Sequence, residues 1–519
     1  MIESEWDAMR FRLSRETLLT VSAAMVLGAA LFLVVKDSLT DDAYITLAYA
    51  KNLATHGEWG LVPGSPANSA TSPLNILLLG GLTALTRLFG SAQPVLALGV
   101  LNVLASGTLG WAWARLIRTY RLPLAVGLLG LLVVLVNPFV LSAIGLEVLL
   151  IPAVLMLLTV FAVEGRPVWF GVAAGLAVLT RLDLIVFVLV IAICTPAIRR
   201  KLLPAALVTI AVAGPWYVFS WFAFGSAVPD TLVIKQSQDG LFGRWDYLTG
   251  PMMYYFGQKA AVTFTFGIAL LGLVVLIALL AVRFGARWTV FPPVAAIAGL
   301  GIGGVAYYVA YSLLGVGPYH WYYVAPTTAL ASFAVLALGV WFVRARQDGR
   351  LRVGTPSVAL GLVVVLALGT VYVDARRGVP WKSPVIFGNW ASSQDYARVG
   401  MELGKRLNGA TVLAPGEIGT LAYYCECSIV DVFSDRGRVV DLIDQRIDEA
   451  GPATAGLLRF NYLWFDYNRA PRPLSYRLLY DRGPGSGPDT WQVYSAARGI
   501  GHFTLVPVPP QDAEQSGTP

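Results

Sequence analysis

Charge is scarce in this chain, and so are the residues that most often bind metals. Of 519 residues only 13% are charged against 56% hydrophobic, and there are three cysteines and three histidines. So little charge excludes a soluble globular protein of this length, and a mean hydropathy of +0.65 points to many membrane spans. Three cysteines exclude a disulfide scaffold. Cys194 lies in an apolar run, while Cys425 and Cys427, in the polar C-terminal part, read equally as a short-loop disulfide and as two free thiols. Also missing are a metal-ligand motif, a phosphate-cradling glycine loop and a nucleophile elbow, which disfavours nucleotide-dependent chemistry. Gly301-Ile-Gly303-Gly304 lies inside an apolar run and reads as close helix packing. No internal repeat is visible. Met1 to Glu16 precedes a span without a cleavage pattern, so an uncleaved first helix is expected.

What is present is a series of apolar runs, near 17–35, 93–114, 122–141, 147–163, 168–180, 184–198, 203–224, 263–282, 289–314, 321–343 and 355–373. They number about eleven, each near the roughly 20 residues that cross the hydrocarbon. The net charge of +7 is carried by short arginine clusters between these runs, so nucleic acid is discounted as a partner. If the amphipathic run Leu74 to Phe89 is taken as an interfacial helix, the clusters Arg115/Arg118/Arg121, Arg166, Arg199/Arg200/Lys201, Arg283/Arg287 and Arg344/Arg346/Arg350/Arg352 fall on one side with Arg10/Arg12/Arg15. The same bias requires two short helices between Val168 and Pro196, hinged at Arg181-Leu182-Asp183. The N-terminus is then cytoplasmic. Loops 36–73 and 225–262 and the tail from Asp374 are extracytoplasmic.

The tail has about 145 residues, enough for one small domain. Ser392 or Ser393 reads as the N-cap of a helix with apolar positions Tyr396, Val399, Leu403 and Leu407. Strand-like Ala410 to Leu413, Pro415-Gly-Glu417-Ile-Gly419, strand-like Ser428 to Phe433 and a helical Val439 to Glu449 follow. The expected fold is therefore mainly α, a polytopic helical membrane domain over 1–373. A small α/β domain follows over 374–507, and 508–519 reads as a disordered tail.

Ionisable residues near the membrane gather on the extracytoplasmic face. Loop 36–73 opens Thr40-Asp41-Asp42-Ala43-Tyr44 and also carries Lys51, Asn52, His56, Trp59 and Asn68, ending Thr71-Ser72-Pro73-Leu74-Asn75. A surface helix from Asp41 to Thr55 would turn Ile45, Leu47, Ala48 and Leu53 to lipid or protein and aim the acids into a cleft; the acids also read as simple helix caps. Glu147 opens a span, where a carboxylate is expensive unless it faces a hydrated cavity, a partner or the helix dipole. Arg181 and Asp183 flank the hinge and equally read as a structural pair. Lys235 follows Pro229-Asp-Thr231, a lone cation near a bilayer surface, where headgroups are its ordinary partner. His320 sits among Tyr319, Trp321, Tyr322 and Tyr323, as an interface belt would place it.

In their order, Asp41-Asp42-Ala-Tyr44-Ile-Thr46, His56-Gly57, Thr71-Ser72-Pro73-Leu74, Gly145-Leu146-Glu147, Thr180-Arg181-Leu-Asp183 and Pro229-Asp-Thr231 to Lys235 resemble membrane glycosyltransferases of the GT-C class. The chain looks closest to the polyprenyl-phosphate-arabinose-dependent arabinofuranosyltransferases of the actinobacterial cell wall, and Gly416-Glu-Ile-Gly419 with Val430-Asp431 is similar to their soluble domain. The resemblance implies an inverting transfer of a sugar, D-arabinofuranose in the first place, to a cell-envelope glycan at a bacterial plasma membrane, with transfer of mannose or another polyprenyl-phosphate-linked sugar to glycolipid or protein as the alternative. Asp41 would be the base, with Asp42 beside it, and Lys235, helped by Arg181 and His320, would hold the donor phosphate. Glu147, Tyr44, Asn75 and Asp183 would meet the substrate. No cofactor is required, although Asp41 and Asp42 together permit a divalent cation. A membrane carrier is the reading from another class, but it would place ionisable groups at the bilayer midplane and show repeated halves.

The orientation is testable with reporter fusions. Those after residues 120, 200, 285 and 350 are expected in the cytoplasm and one after 375 across the membrane. A fusion after 200 on the far side would mean that 168–196 is a single helix.

Overall fold

The computed structural model describes residues 14–237, 246–285, 294–347 and 354–509. Arg10, Arg12, Arg287, Arg350, Arg352 and positions 510–519 lie outside them. Among the described residues seven helices are long and apolar enough to cross a membrane: Arg15–Val35, Pro94–Tyr120, Leu202–Phe224, Phe256–Val282, Ala295–Leu313, His320–Gln347 and Thr355–Ala375. Four shorter apolar helices, Leu124–Leu135, Glu147–Val163, Pro167–Thr180 and Leu182–Cys194, complete the set read from the apolar runs. The chain is a multi-pass membrane protein. The amphipathic run forms a separate helix, Pro73–Arg87, and the break inside 168–196 falls where expected: Arg181 is extended between Thr180 and a short 3-10 turn at Leu182–Leu184.

Small residues let the spans pack. A Cβ on Gly110 would come within 2.9 Å of the Thr20 carbonyl oxygen and within 2.8 Å of the Ala24 Cβ, so the first span and Pro94–Tyr120 approach backbone to backbone. Gly301 and Gly303 serve the same end, against Phe333 and Phe187.

The tail holds one mixed sheet of order β2-β1-β3-β5-β4, with β1 Val412–Leu413, β2 Ile429–Val430, β3 Tyr476–Arg482, β4 Thr490–Ser495 and β5 Gly499–Pro507. β1 is parallel to β2 and β3, while β5 is antiparallel to both β3 and β4. Strands β3 to β5 add to the helix-strand alternation read from the sequence. The helix Ser393–Leu407 starts at Ser392, whose Oγ accepts the Asp395 N–H, and it buries Tyr396, Val399, Leu403 and Leu407. These pack with Leu478, Trp491, Val493 and Phe503 of the sheet. Cys425 and Cys427 are joined as a disulfide.

That core is shared with the first loop, because Ala48, Tyr49, Trp59, Leu61 and Val62 belong to the same cluster. The loop helix Asp41–His56 is consequently sandwiched rather than laid along a surface: Leu47 and Ala48, expected to face lipid or protein, are both buried in protein. A further small core joins Val233 and Ile234 of the second loop to Val439, Ile443 and Tyr462 of the tail. The tail thus sits on both loops that carry the candidate residues.

Candidate active site

Two loops and the tail enclose a cavity of about 560 Å³. Its walls include the start of the loop helix, the turn before Glu147–Val163, the helix Thr231–Ser237, the aromatic turn at Pro318 to Trp321 and, from the tail, 386–390, 416–418, Asp431, Phe433, Arg482 and 497–498. Asp41, Asp42, Glu147, Lys235 and His320, all expected at the site, line it.

The two adjacent acids differ in their surroundings. Thr40 is the N-cap of the loop helix, so both acids lie in its first turn rather than at the cap itself. Asp41 is buried, and each of its oxygens accepts a backbone N–H of the tail: Oδ2 from Gly419 at 2.9 Å and Oδ1 from Thr420 at 2.8 Å. A Cβ on Gly419 would overlap the Asp41 carbonyl oxygen at 2.1 Å, so only glycine permits this approach. Asp42 is half-buried and, among the described residues, takes no hydrogen bond except from its own backbone N–H. Burial pushes its carboxyl up to about 6, against the pull of Lys235 and with the charges of Asp41 and Glu147 adding to the rise. Among the described residues no group of three or more His, Cys, Asp or Glu is arranged to hold a metal ion. A divalent cation on the acidic pair would compete with the two N–H bonds to Asp41.

Lys235 is caged by rings. Its Nζ lies 4.3 Å from the centroid of Tyr319 and 5.3 Å from that of Trp321, and it donates to the Tyr322 hydroxyl at 2.9 Å. Among the described residues no carboxylate oxygen lies within 4.0 Å of it. Its helix is positioned by the turn before it: Ser226 Oγ donates to Asp230 Oδ1, Asn68 Nδ2 donates to the Ser226 carbonyl, and the Asp230 N–H donates to the Asn68 carbonyl, each at 2.8 Å. Asp230 therefore ties the second loop to the first, and its carboxyl does not line the cavity.

Four expected site residues lie elsewhere. Arg181 is buried beneath the cavity, where Nη1 donates to Glu147 at 2.6 Å and Nη2 to Asp183 at 2.7 Å and to the Tyr311 hydroxyl at 2.8 Å. A guanidinium in so apolar a setting needs carboxylate partners, and these occupy it. Asp183 faces Arg181 and Tyr311 for the same reason. Tyr44 packs on Tyr423 and Tyr424 with its hydroxyl 2.9 Å from Ser393 Oγ. Asn75 donates to the Gly145 carbonyl at 3.2 Å, holding the glycine turn before Glu147. His320 does reach the cavity, and among the described residues its buried Nε2 has no hydrogen-bond partner.

The tail contributes lining groups that no loop motif announced. Asn389 Oδ1 accepts from Thr40 Oγ1 at 2.8 Å and from the Asp41 N–H at 3.4 Å. Glu417 Oε2 accepts from the Trp390 N–H at 3.0 Å and from the Tyr396 hydroxyl. Burial, with the charge of Asp41 adding to it, pushes Glu417 up to about 8. The signal for Glu417 in the sequence was the stretch Gly416-Glu-Ile-Gly419 next to a strand.

No family model matches the chain, and no curated protein is similar to it in sequence. A crystal structure of ArnT from Cupriavidus metallidurans in the apo state superposes with a TM-score of 0.54, over 94% of this chain and 97% of that one. The fold is the GT-C fold of ArnT. Sequence identity is 14%, so the likeness is one of fold, and roles within this GT-C frame have to be argued from the side chains.

The contrast between the two cations is testable. Arg181→Met would leave Glu147 and Asp183 buried without their counter-charge and is expected to lower stability by about 3–5 kcal/mol. Lys235→Met should cost no more than about 1 kcal/mol. Thermal unfolding of the two detergent-solubilised variants makes the comparison; equal melting temperatures would mean that the Arg181 cluster is not structural.

Proposed function

We propose that this chain is an inverting glycosyltransferase that moves a sugar, D-arabinofuranose, from a polyprenyl-phosphate donor to a cell-envelope glycan on the tail side of the membrane. The observation that carries the proposal is one cavity faced by Asp42, whose carboxylate takes no hydrogen bond from any other described residue, and by Lys235, which has no carboxylate partner among the described residues. The GT-C fold supports the reaction class, and the order of the loop motifs, similar to that of the arabinofuranosyltransferases, supports the sugar.

The reaction is one displacement. Asp42 accepts the proton of the acceptor hydroxyl, the oxygen forms its bond to the anomeric carbon, and the bond from that carbon to the phosphate oxygen breaks on the opposite face. Polyprenyl phosphate leaves with the electron pair, facing Lys235. No covalent enzyme intermediate forms. The resemblance pointed to Asp41 as the base, but the surroundings favour Asp42: a proton on Asp41 would weaken an acceptor already holding two tail N–H groups. Asp41 instead holds Gly416-Glu417-Ile418 against the cavity. Tyr319, Trp321 and Trp390 offer faces on which a sugar ring can rest.

Asp42→Asn is expected to lower transfer from a radiolabelled polyprenyl-phosphate arabinofuranose on the order of 10²-fold or more, with donor affinity little changed. Lys235→Met should cost roughly 30- to 1000-fold in rate. A folded Asp41→Asn variant that is dead beside an active Asp42→Asn variant would return the base to Asp41; activity in both would sink the mechanism.

The pH profile gives an independent check. A base held at about 6 is ionised above that pH, so kcat/KM should fall as pH drops through about 6 and level off above it. Lys235 pulls the Asp42 carboxyl down, so Lys235→Met should move this acid limb to higher pH. A limb that stays in place would mean that the two groups are uncoupled.

A further inference from the structure

The span that leads into the second loop, Leu202–Phe224, is of the seven long spans the one least covered by protein. Leu203, Leu207, Ile210, Val218 and Phe222 are exposed along one side of it, a stripe that the bilayer has to cover. Its 23 residues make about 35 Å at roughly 1.5 Å per residue, so its last turn lies at the boundary between hydrocarbon and headgroups. That turn touches the tail. Trp221 Nε1 donates to the Phe460 carbonyl at 3.1 Å with the two rings 4.8 Å apart, and the Phe222 ring lies 5.6 Å from that of Trp464.

The tail segment met there has two apolar sides, where a helix on the surface of a soluble domain needs only one. The helix Pro452–Asn461 turns Ala455 and Leu458, with Tyr462 just beyond it, into the core shared with Val439, Ile443 and Val233. Asn461 Oδ1 fixes it to the second loop by accepting the N–H groups of Ala227 and Val228, at 3.0 and 2.8 Å. On the other side Leu457, Phe460, Leu463 and Trp464 stay exposed, by 71%, 61%, 57% and 54%. Four large apolar side chains left open within eight positions mark an interaction surface.

We propose that residues Leu457 to Trp464 are an interfacial anchor of the tail, inserted among the headgroups and upper acyl chains of the leaflet on the tail side of the membrane. The occupant is lipid rather than protein because the patch continues the lipid-covered stripe of the span, from Phe222 to Trp464. A tryptophan with an apolar body and a polar N–H suits headgroup depth, and the neighbouring Phe and Leu side chains suit the layer just beneath it. The tail is then held by the bilayer as well as by the two loops, at the height where its residues 386–390 and 416–418 wall the cavity. This contact is independent of the reaction that the cavity serves.

The full-length protein, with Cys194→Ala so that no cysteine remains outside the disulfide, is to be placed in nanodiscs of phosphatidylcholine and phosphatidylglycerol. The fluorophore NBD is attached at Trp464→Cys, at Leu457→Cys or, as the reference, at Ser486→Cys on the exposed turn between β3 and β4. Quenching is measured with phosphatidylcholine carrying a nitroxide near the top of an acyl chain. The labels at 464 and 457 are expected to emit at shorter wavelength than the label at 486 and to be quenched about 3-fold more strongly or better. Phe460→Ser with Leu463→Ser, both at exposed positions, should lower the quenching at 457 about 2-fold or more, with the melting temperature as the check on folding. Quenching at 464 and 457 no stronger than at 486 overturns the anchor. So does short-wavelength emission without lipid quenching, which would mean that a second copy of the chain or another protein covers the patch. Quenching at 457 that the folded double variant leaves unchanged also overturns it, because the span end alone would then hold the segment in lipid.

Discussion

The site depends on two hydrogen bonds, from the backbone N–H groups of Gly419 and Thr420 to the carboxylate of Asp41. They join residues 378 and 379 positions apart in a buried setting, where a lost hydrogen bond is costly. Around them the tail and the first loop share one apolar core, so the helix carrying Asp41 and Asp42 is clamped between membrane helices and tail. Asn389 and Glu417 then reach the cavity as a consequence of that docking. Without it the membrane part would present one wall of a cleft.

Charge near the membrane is divided between holding and facing the cavity. Arg181 has two carboxylates and a phenol around it, the arrangement a buried guanidinium requires. Lys235, one tyrosine away through the Tyr322 hydroxyl, has among the described residues only ring faces and that hydroxyl. Rings stabilise a cation without neutralising it. The lysine can therefore still meet an incoming anion, and the arginine cannot without breaking its cluster.

Much of the architecture was legible along the chain. The apolar runs, the separate amphipathic helix Pro73–Arg87, the break at Arg181-Leu182-Asp183 and the helix beginning at Ser393 follow from local pattern: span length, charge bias, capping by Ser392 and a period of 3.6 residues. Asp41, Asp42, Glu147, Lys235 and His320 were legible as candidates because a polar group next to an apolar run is conspicuous. Arg181, Asp183, Tyr44 and Asn75 were equally conspicuous, yet none of them lines the cavity. Nothing in their neighbours tells a residue that faces a cavity from one that faces a partner more than a hundred positions away, such as Tyr311 for Arg181.

The sequence by itself therefore determined that the chain is a polytopic helical membrane protein with a mixed tail, and which short list of polar residues stands near the tail-side face. Those properties are set by hydropathy and local period, which act over a turn or a span. Tertiary structure alone decided the division of labour: Asp41 to the tail, Asp42 to the cavity, Arg181 to its carboxylates, Lys235 to its rings, and Glu417 and Trp390 added from the far end of the chain. Burial and hydrogen bonding between distant segments set the basicity and the openness of each group, and neither property exists until those segments meet.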